Sequence, residues 1–259
     1  MGDTMNYLKA LCCTTTVLLS GYSYAESSAD EGIQISGNIA VVSSYVSRGL
    51  TNAVENDDIS IQPYLSANYK NAYVAYWGSP LNYSFKELQD NITNSSYRFE
   101  HNLIAGYLFD YAGLSFDVWD AFYYYPSTKN GTSNELGLRV TKTFADESLV
   151  TFGASVFLYD VIYMNQGDSF FTADYIKPIN DKWNLALGVG FSYFQDDGKF
   201  EGNDYLDTQK EFVWRYASAQ VDYNLNDSTS IFYKYIVGGE DRAGIDQKNK
   251  GVLGLTYFF

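Results

Sequence analysis

The segment WNLALGVGFSY, at Trp183–Tyr193, alternates large apolar side chains with small or polar ones. Successive side chains of an extended strand point to opposite faces, so a period of two predicts a β-strand with one apolar face. The apolar face carries Trp183, Leu185, Leu187, Val189, Phe191 and Tyr193. The other face carries Asn184, Ala186, Gly188, Gly190 and Ser192. A strand of this kind suits either a soluble β-protein or a membrane barrel.

The same alternation recurs in about twelve segments of the chain, and the connections between them alternate in length. Tight turns such as KNA (Lys70–Ala72) and NLNDS (Asn224–Ser228) alternate with longer polar segments such as VSRGLTNAVENDD (Val46–Asp58). Long loops at one end and tight turns at the other are typical of outer-membrane barrels. A soluble β-sandwich or lipocalin-like barrel would not need apolar residues on its outside. We therefore predict an all-β fold, a transmembrane antiparallel up-and-down β-barrel of about twelve strands over residues 26–259.

The first 25 residues have the pattern of a signal peptide. Lys9 precedes an apolar stretch, and the small residues Ser23 and Ala25 lie at the −3 and −1 positions of a cleavage site. Both cysteines, Cys12 and Cys13, fall inside this segment. The exported chain is therefore expected to contain no disulfide, no thiol nucleophile and no thiolate metal site.

The acidity of the chain restricts its partners. The formal net charge is −14 and the mean hydropathy is −0.23. In a barrel only about half of the strand residues face lipid, so a low average hydropathy is no objection to a membrane location. The acid excess argues against nucleic acid, which requires a basic surface. The expected partners are outer-membrane lipids and lipopolysaccharide, the barrel-assembly machinery and small solutes, with the protein in the bacterial outer membrane.

The polar strand faces predict which residues line a pore. The charged residues on these faces are Arg98, Glu100, Asp117, Glu135, Arg139, Asp174, Asp222 and Lys234. Both signs occur, so internal ion pairs would lower the cost of a narrow lumen. Aromatic residues at the strand ends predict lipid-facing girdles at the two interfaces. Those assigned to girdles include Tyr45, Tyr69, Trp77, Tyr107, Phe109, Tyr123–Tyr125, Trp183, Tyr193, Trp214, Tyr223 and Phe258.

The final segment GVLGLTYFF (Gly251–Phe259) is interpreted as the closing strand. Its lipid-facing residues are predicted to be Leu253, Leu255, Tyr257 and Phe259, and its lumen-facing residues Val252, Gly254 and Thr256. Pairing of this strand with the first removes the open edge of the sheet. Tyr257 and Phe259 are also expected to form the C-terminal signal that the assembly machinery recognises.

An enzyme is the first rival to a channel, since some barrels act on lipids. Nucleophilic catalysis by serine needs a neighbouring histidine. The only histidine, His101, falls on the apolar face with Phe99 and Leu103, and no GxSxG motif occurs. The acidic loop Asp196–Asp207 lacks EF-hand spacing and is interpreted as a solvated surface. We therefore predict no catalytic residue, no metal site and no cofactor.

Two motifs resemble the TorF family of porins. SSYVSRGLTN (Ser43–Asn52) carries the family's aromatic–x–x–Arg–Gly–x–Ser/Thr pattern, and YVAYWGS (Tyr73–Ser79) carries a Trp-centred Gly–Ser pattern. The first motif places Tyr45, Arg48, Gly49 and Thr51, and the second Trp77, Gly78 and Ser79. The resemblance extends over nearly all of the exported chain and implies an outer-membrane pore without a known substrate.

Arg48 and Gly49 form the most specific polar pair of the resemblance. A functional interpretation places them at the pore mouth as a selectivity element. A structural interpretation makes them a loop anchor in which Arg48 pairs with Asp57 or Asp58.

These observations together predict an outer-membrane porin-like channel for passive diffusion of small hydrophilic solutes. The acidic loops predict a preference for cations. The alternatives are a non-conducting structural or adhesive barrel and an outer-membrane lipid-modifying enzyme.

Overall fold

A computed structural model describes residues 32–90, 97–126, 128–202 and 206–259. The predicted signal peptide, residues 1–25, lies outside these ranges and stays a prediction. Over the described ranges, no helix is both long enough and apolar enough to cross a membrane.

Twelve antiparallel strands, each paired with its neighbours in the chain, make up the fold. They close into one barrel, since the first strand also pairs with the last. The strands are β1 (Gln34–Val42), β2 (Ser60–Tyr69), β3 (Ala72–Pro80), β4 (Phe99–Tyr111), β5 (Leu114–Tyr124), β6 (Ser133–Thr143), β7 (Leu149–Phe157), β8 (Ser169–Pro178), β9 (Trp183–Tyr193), β10 (Phe212–Asn226), β11 (Thr229–Gly238) and β12 (Lys250–Phe258). The predicted fold class and strand number are confirmed.

Closure of the barrel depends on the pairing of β1 with β12. The register runs from Asn38 opposite Phe258 to Val42 opposite Gly254. Beyond β12, Phe259 continues the ladder, because its amide donates to the Gly37 carbonyl and its carbonyl oxygen accepts from the Gly37 amide, both at 3.0 Å. A Cβ atom at Gly37 would lie 2.7 Å from the Phe259 ring, so the glycine makes room for the last aromatic.

The outward face of the barrel is apolar. On β12, Leu253, Leu255 and Tyr257 are exposed whereas Val252 and Thr256 are buried, as the alternation predicts. Exposed large apolar residues occur on every strand, which in water would leave an apolar surface far larger than soluble monomers carry. This surface fits the hydrocarbon of a bilayer and makes the barrel a transmembrane one.

The inner face combines polar residues with two apolar clusters. The Trp77 cluster lies on β2–β5 and contains Tyr64, Tyr73, Ala75, Trp77, Ile104, Trp119 and Ala121. The Phe232 cluster lies on β1, β8 and β10–β12 and contains Ala40, Val42, Phe170, Tyr216, Phe232, Ile236 and Val252. These clusters occupy part of the lumen, so any open path through the barrel is narrow.

Inward aromatic rings lie flat over glycines of the neighbouring strand. Trp119 covers Gly137, and a Cβ atom there would lie 2.1 Å from the indole ring. Phe232 covers Gly254 in the same way, with 2.2 Å to the ring. A flat ring projects less far into the lumen than an upright one, so the glycines keep the interior from filling completely.

Six long connections lie at one end of the barrel and five tight turns at the other. The long loops are L1 (43–59), L2 (81–98), L3 (125–132), L4 (158–168), L5 (194–211) and L6 (239–249). L2 contains the one helix of the described chain, α1 (Phe85–Asp90). Ser84 caps α1 reciprocally with Glu87, since each side chain accepts the other residue's amide.

Three of the predicted girdle aromatics turn out to face inward. Trp77 and Tyr123 lie on the inner faces of β3 and β5, and Tyr45 lies in L1 with its ring packed against Trp77. The assignment of these three residues to the lipid interface is therefore wrong. It is also wrong for Tyr125, which packs against Phe85 in the loops, and for Phe258, which shares the inner face of β12 with Thr256. Other girdle residues, including Trp183 and Trp214, are exposed on the outside.

Deletion of Phe259 should reduce the amount of folded barrel. It removes two main-chain hydrogen bonds at the closing seam, each contributing about 1 kcal/mol, and uncovers Gly37. The measurement is the heat-modifiable folded fraction in isolated outer membranes.

Phe144→Ala is the control for this deletion, because Phe144 is an exposed aromatic next to the β6–β7 turn at the same end of the barrel. Folded levels of the Phe259 deletion equal to those of the control would contradict the assigned role of the seam.

Candidate functional site: the first long loop inside the barrel

L1 bends into the lumen at two consecutive left-handed residues, Arg48 (φ 47°) and Gly49 (φ 77°). The bend lies against the inner wall at β10, where Arg215 Nε donates to the Arg48 carbonyl at 3.1 Å. A Cβ atom at Gly49 would lie 2.6 Å from the Arg215 carbonyl oxygen. Only glycine combines this φ with this close approach to backbone. The Arg–Gly pair of the sequence motif is thus the point at which L1 enters the barrel.

The Arg48 side chain spans the lumen from β10 to β6. Its guanidinium donates to Glu135 Oε2 at 2.6 Å, and the Glu135 side chain is 1% exposed. Tyr123 donates to the same carboxylate oxygen at 2.5 Å, and Ser155 donates to the other at 2.5 Å. Each Glu135 oxygen therefore has a partner, which is what a buried ion pair needs to be stable.

Two aromatic rings flank the Arg48 guanidinium. Its carbon lies 5.1 Å from the Phe157 ring centre and 5.0 Å from that of Phe170. Rings at this distance stabilise a cation through their electron-rich faces. Burial acts to lower the pKa of Arg48, but the Glu135 carboxylate outweighs burial and raises the pKa above its ordinary value. Arg48 is therefore a fixed positive charge inside the barrel.

Two further glutamates lie beside L1. Glu100 on β4 accepts from Tyr45 at 3.2 Å and from Asn102 at 2.9 Å. Glu55, in L1 itself, accepts a short hydrogen bond from Tyr83 of L2. Burial raises the pKa of Glu55, opposed by the Tyr83 hydrogen bond and by the charge of Arg48.

The far side of L1 is tied to L6. The amides of Thr51 and Asn52 both donate to Gln247 Oε1 at 3.1 Å, and Asn52 Nδ2 donates to the Asp246 carbonyl at 2.8 Å. Near the end of L1, Asp57 pairs with Lys250 of β12 at 2.6 Å, and this cation lowers the pKa of Asp57. L1 is thus held at the β4–β6 wall by side chains and at L6 largely by backbone contacts.

Loops L2–L4 cover the mouth with aromatic rings. Phe85 packs against Tyr83, Tyr125 and Tyr163 at ring-centre distances of 5.3, 4.7 and 5.0 Å. Phe85 is buried by these contacts. We call these four residues the aromatic cap.

Loops L4–L6 are joined on the other side by Arg242. It forms an ion pair with Asp168 of L4 and lies 4.4 Å from the ring centre of Phe194 in L5. Burial raises the pKa of Asp168, opposed by the Arg242 charge. The loops of the mouth therefore contact one another all the way round L1.

Most residues predicted to line a pore lie buried on the inner wall: Glu100, Asp117, Glu135, Arg139, Asp174, Asp222 and Lys234. Arg139 and Asp117 form an ion pair at 2.5 Å across β5 and β6. Arg98 differs, since it precedes β4 and pairs with Glu87 of α1 at 2.8 Å in L2.

Of two other expectations, one is wrong and one is confirmed. Arg48 pairs with Glu135, so its predicted pairing with Asp57 or Asp58 is wrong. His101 lies on the outward face, where its ring hydrogen-bonds to Tyr76 at 2.9 Å, as strand parity predicts. No three His, Cys, Asp or Glu side chains of the described ranges are grouped to hold a metal ion.

Four important inward-facing residues were not predicted from the sequence. A register shift between Trp214 and Tyr216 turns both Arg215 and Tyr216 inward, which strict alternation does not allow. Phe170 is followed directly by Phe171, so polarity alone does not show which of the two phenylalanines faces the lumen. The inward position of Tyr123 could have been predicted, because a period of two places it on the same face as Asp117, Trp119 and Ala121.

Comparisons with known proteins agree with the fold. The family model described as "Bacterial protein of unknown function (Gcw_chp)" matches residues 26–209. No curated protein matches the sequence. The KdgM porin aligns with 87% of this chain and 98% of its own, at 6% identity and a TM-score of 0.54. The NanC porin covers 86% and 99%, at 10% identity and a TM-score of 0.54.

A third solved structure, the COG4313 outer-membrane channel from Pseudomonas putida F1, covers 86% of this chain and 94% of its own, at 9% identity and a TM-score of 0.52. At such identities the likeness concerns the fold alone. Two of the three are named porins and the third is named an outer-membrane channel, and the TorF resemblance itself stays a prediction.

Gly49→Ala should release L1 from the lumen. The new Cβ meets the β10 backbone in a conformation that costs an L-residue about 1 kcal/mol, so the open loop becomes more populated. Trypsin then cuts after Arg48 about tenfold faster than in the wild type, since cleavage follows the open population. Mass spectrometry of the fragments detects the cut.

Gly244→Ala is the matched control, because Gly244 has φ 73° but faces only the flexible Lys210 side chain. Equal protection of Gly49→Ala and Gly244→Ala at Arg48 would contradict the placement of L1.

Proposed function

Because this chain belongs to the Gcw_chp family of bacterial proteins and folds as a closed transmembrane barrel, we propose that it is a porin-like channel of the outer membrane. It passes small hydrophilic solutes by diffusion, and L1 forms its constriction. The observation that carries the proposal is the Arg48–Glu135 contact across the lumen. Charged side chains that cross the lumen lie on the path of a solute that moves along the barrel axis, so they affect its passage.

The polar inner wall supports a channel more than a solid core. Buried carboxylates and amides such as Asp174, Asn184 and Gln220 would be costly in a dry interior, whereas a hydrated path solvates them. The two apolar clusters and the aromatic cap support a narrow path. The same clusters favour the second candidate, a non-conducting structural barrel, if they and L1 close the lumen completely.

A preference for cations is part of the proposal. Near the mouth, Glu55, Glu100 and Glu135 outnumber the guanidinium groups of Arg48 in L1 and Arg215 on β10. An acidic excess along a narrow path raises the local concentration of cations and lowers that of anions.

We do not assign an enzymatic activity. His101 lies on the lipid-facing side and hydrogen-bonds to Tyr76, away from Glu100 and Asn102, which lie inside. A serine nucleophile in the lumen would therefore have no histidine beside it to act as a base. The outward apolar face supports outer-membrane lipids and lipopolysaccharide as partners, and the exposed Tyr257 and Phe259 support recognition by the barrel-assembly machinery.

Purified folded protein in planar bilayers should give discrete single-channel steps with a small conductance. Arg48→Ala should raise the single-channel conductance by about twofold or more, because it removes both the side chain that spans the lumen and its hold on L1. Arg98→Ala is the control, since that arginine lies in L2 with a half-exposed side chain.

Silence of both the wild type and Arg48→Ala, with folding verified, would overturn the channel proposal in favour of the structural barrel. Reversal potentials in a salt gradient test the charge preference, and a wild type that prefers anions would contradict it.

A further inference from the structure

Lys234, on the inner face of β11, is a buried cation without a direct partner. It is 5% exposed, and its Nζ makes no hydrogen bond or ion pair with any of the described residues. Its ammonium lies instead over the Tyr216 ring, whose centre is 6.0 Å from Nζ. The residues beside it on the inner face of β11, Phe232 and Ile236, are apolar. A charge held there requires compensation from further away.

Two carboxylates oppose the cost of burial in part. The charges of Asp174 on β8 and Asp222 on β10 act on Lys234, although no oxygen of either lies within 4.0 Å of Nζ. Asp222 is engaged locally by Gln220, which donates to it at 2.7 Å. The Lys234 ammonium is therefore influenced by both carboxylates without a closed ion pair to either.

Lys234 also borders the space directly beneath L1. A cavity of about 30 Å³, which is enough for a water molecule, is lined by Arg48 and Gly49 of L1 and by Phe170, Tyr216 and Lys234 of the wall. Within that lining the Arg48 charge is balanced by Glu135 at 2.6 Å. Lys234 lines the same cavity, but its ammonium forms no ion pair with a carboxylate.

We propose that Lys234 is the residue that sets the charge selectivity of the channel. A paired charge such as Arg139, in contact with Asp117 at 2.5 Å, has little field at a distance. The ammonium of Lys234 keeps its field and offsets the attraction of Asp174 and Asp222 for passing cations. It thereby holds the cation preference of the wild type at a moderate level. This inference rests on the proposed channel function.

The test is the reversal potential of single channels in a potassium chloride gradient. Lys234→Met keeps the length and apolar stem of the side chain and removes the charge, so that the ammonium no longer offsets the charges of Asp174 and Asp222. The ratio of potassium to chloride permeability should rise about twofold or more. Lys234→Glu should raise it further, because it changes the local charge by two.

The control is Lys177→Met, which makes the same charge change near the end of β8. The Lys177 side chain is exposed there and pairs with the exposed Asp146 at 2.7 Å. Its permeability ratio should equal that of the wild type. Folding of each variant is checked by heat modifiability, and Lys234→Gln serves if Lys234→Met does not fold.

The outcomes separate the two proposals. If the folded wild type does not conduct, the channel function itself fails. If the wild type conducts but the Lys234 variants keep its permeability ratio, the channel stands and the role of Lys234 is wrong. An equal rise of the permeability ratio in Lys177→Met would also overturn the role of Lys234, since the effect would then come from the overall charge of the protein.

Discussion

A strand in hydrocarbon has to find a partner for every backbone amide and carbonyl, and this constraint organises the whole molecule. Twelve antiparallel strands meet it only because β1 pairs with β12 over five residue pairs and Gly37 exchanges two hydrogen bonds with Phe259. An even number of strands then brings the first and last strand ends to the tight-turn side. The six long loops are left together at the other side, where they can contact one another and enter the lumen.

Once the ring is closed, the interior is free to hold groups that the outside cannot. L1 uses this freedom by carrying a guanidinium into a buried environment. The cost of burial is offset because Glu135 accepts from Arg48, Tyr123 and Ser155 and because two aromatic faces flank the cation. Breaking one side of such a pair leaves an uncompensated charge and typically costs about 3–5 kcal/mol. L1 is therefore firmly attached to the inner wall of the barrel.

The strand pattern was the more predictable half of the structure. On β9 and β12 alternate positions differ sharply in polarity, so both the strands and their outward faces could be read from the sequence. Trp77 and Tyr45 were misplaced because the lumen contains apolar clusters of its own, and polarity alone cannot tell an inner aromatic from a lipid-facing one. Arg215 was missed because a bulge interrupts the alternation. The motif around Arg48 marked the right residue, but its partner Glu135 is 87 positions away, on a strand that only the closed barrel brings opposite L1.

The central claim is that the Arg48–Glu135 interaction holds L1 inside the barrel, and a double-mutant cycle tests it most directly. The free energy of unfolding from lipid vesicles would be measured for the wild type, Arg48→Met, Glu135→Gln and the double variant. A buried pair in contact predicts a coupling energy of about 1–3 kcal/mol, with the double variant less destabilised than the sum of the single ones. Effects that add within about 0.5 kcal/mol would show that the two side chains do not interact, and would contradict this account of the constriction.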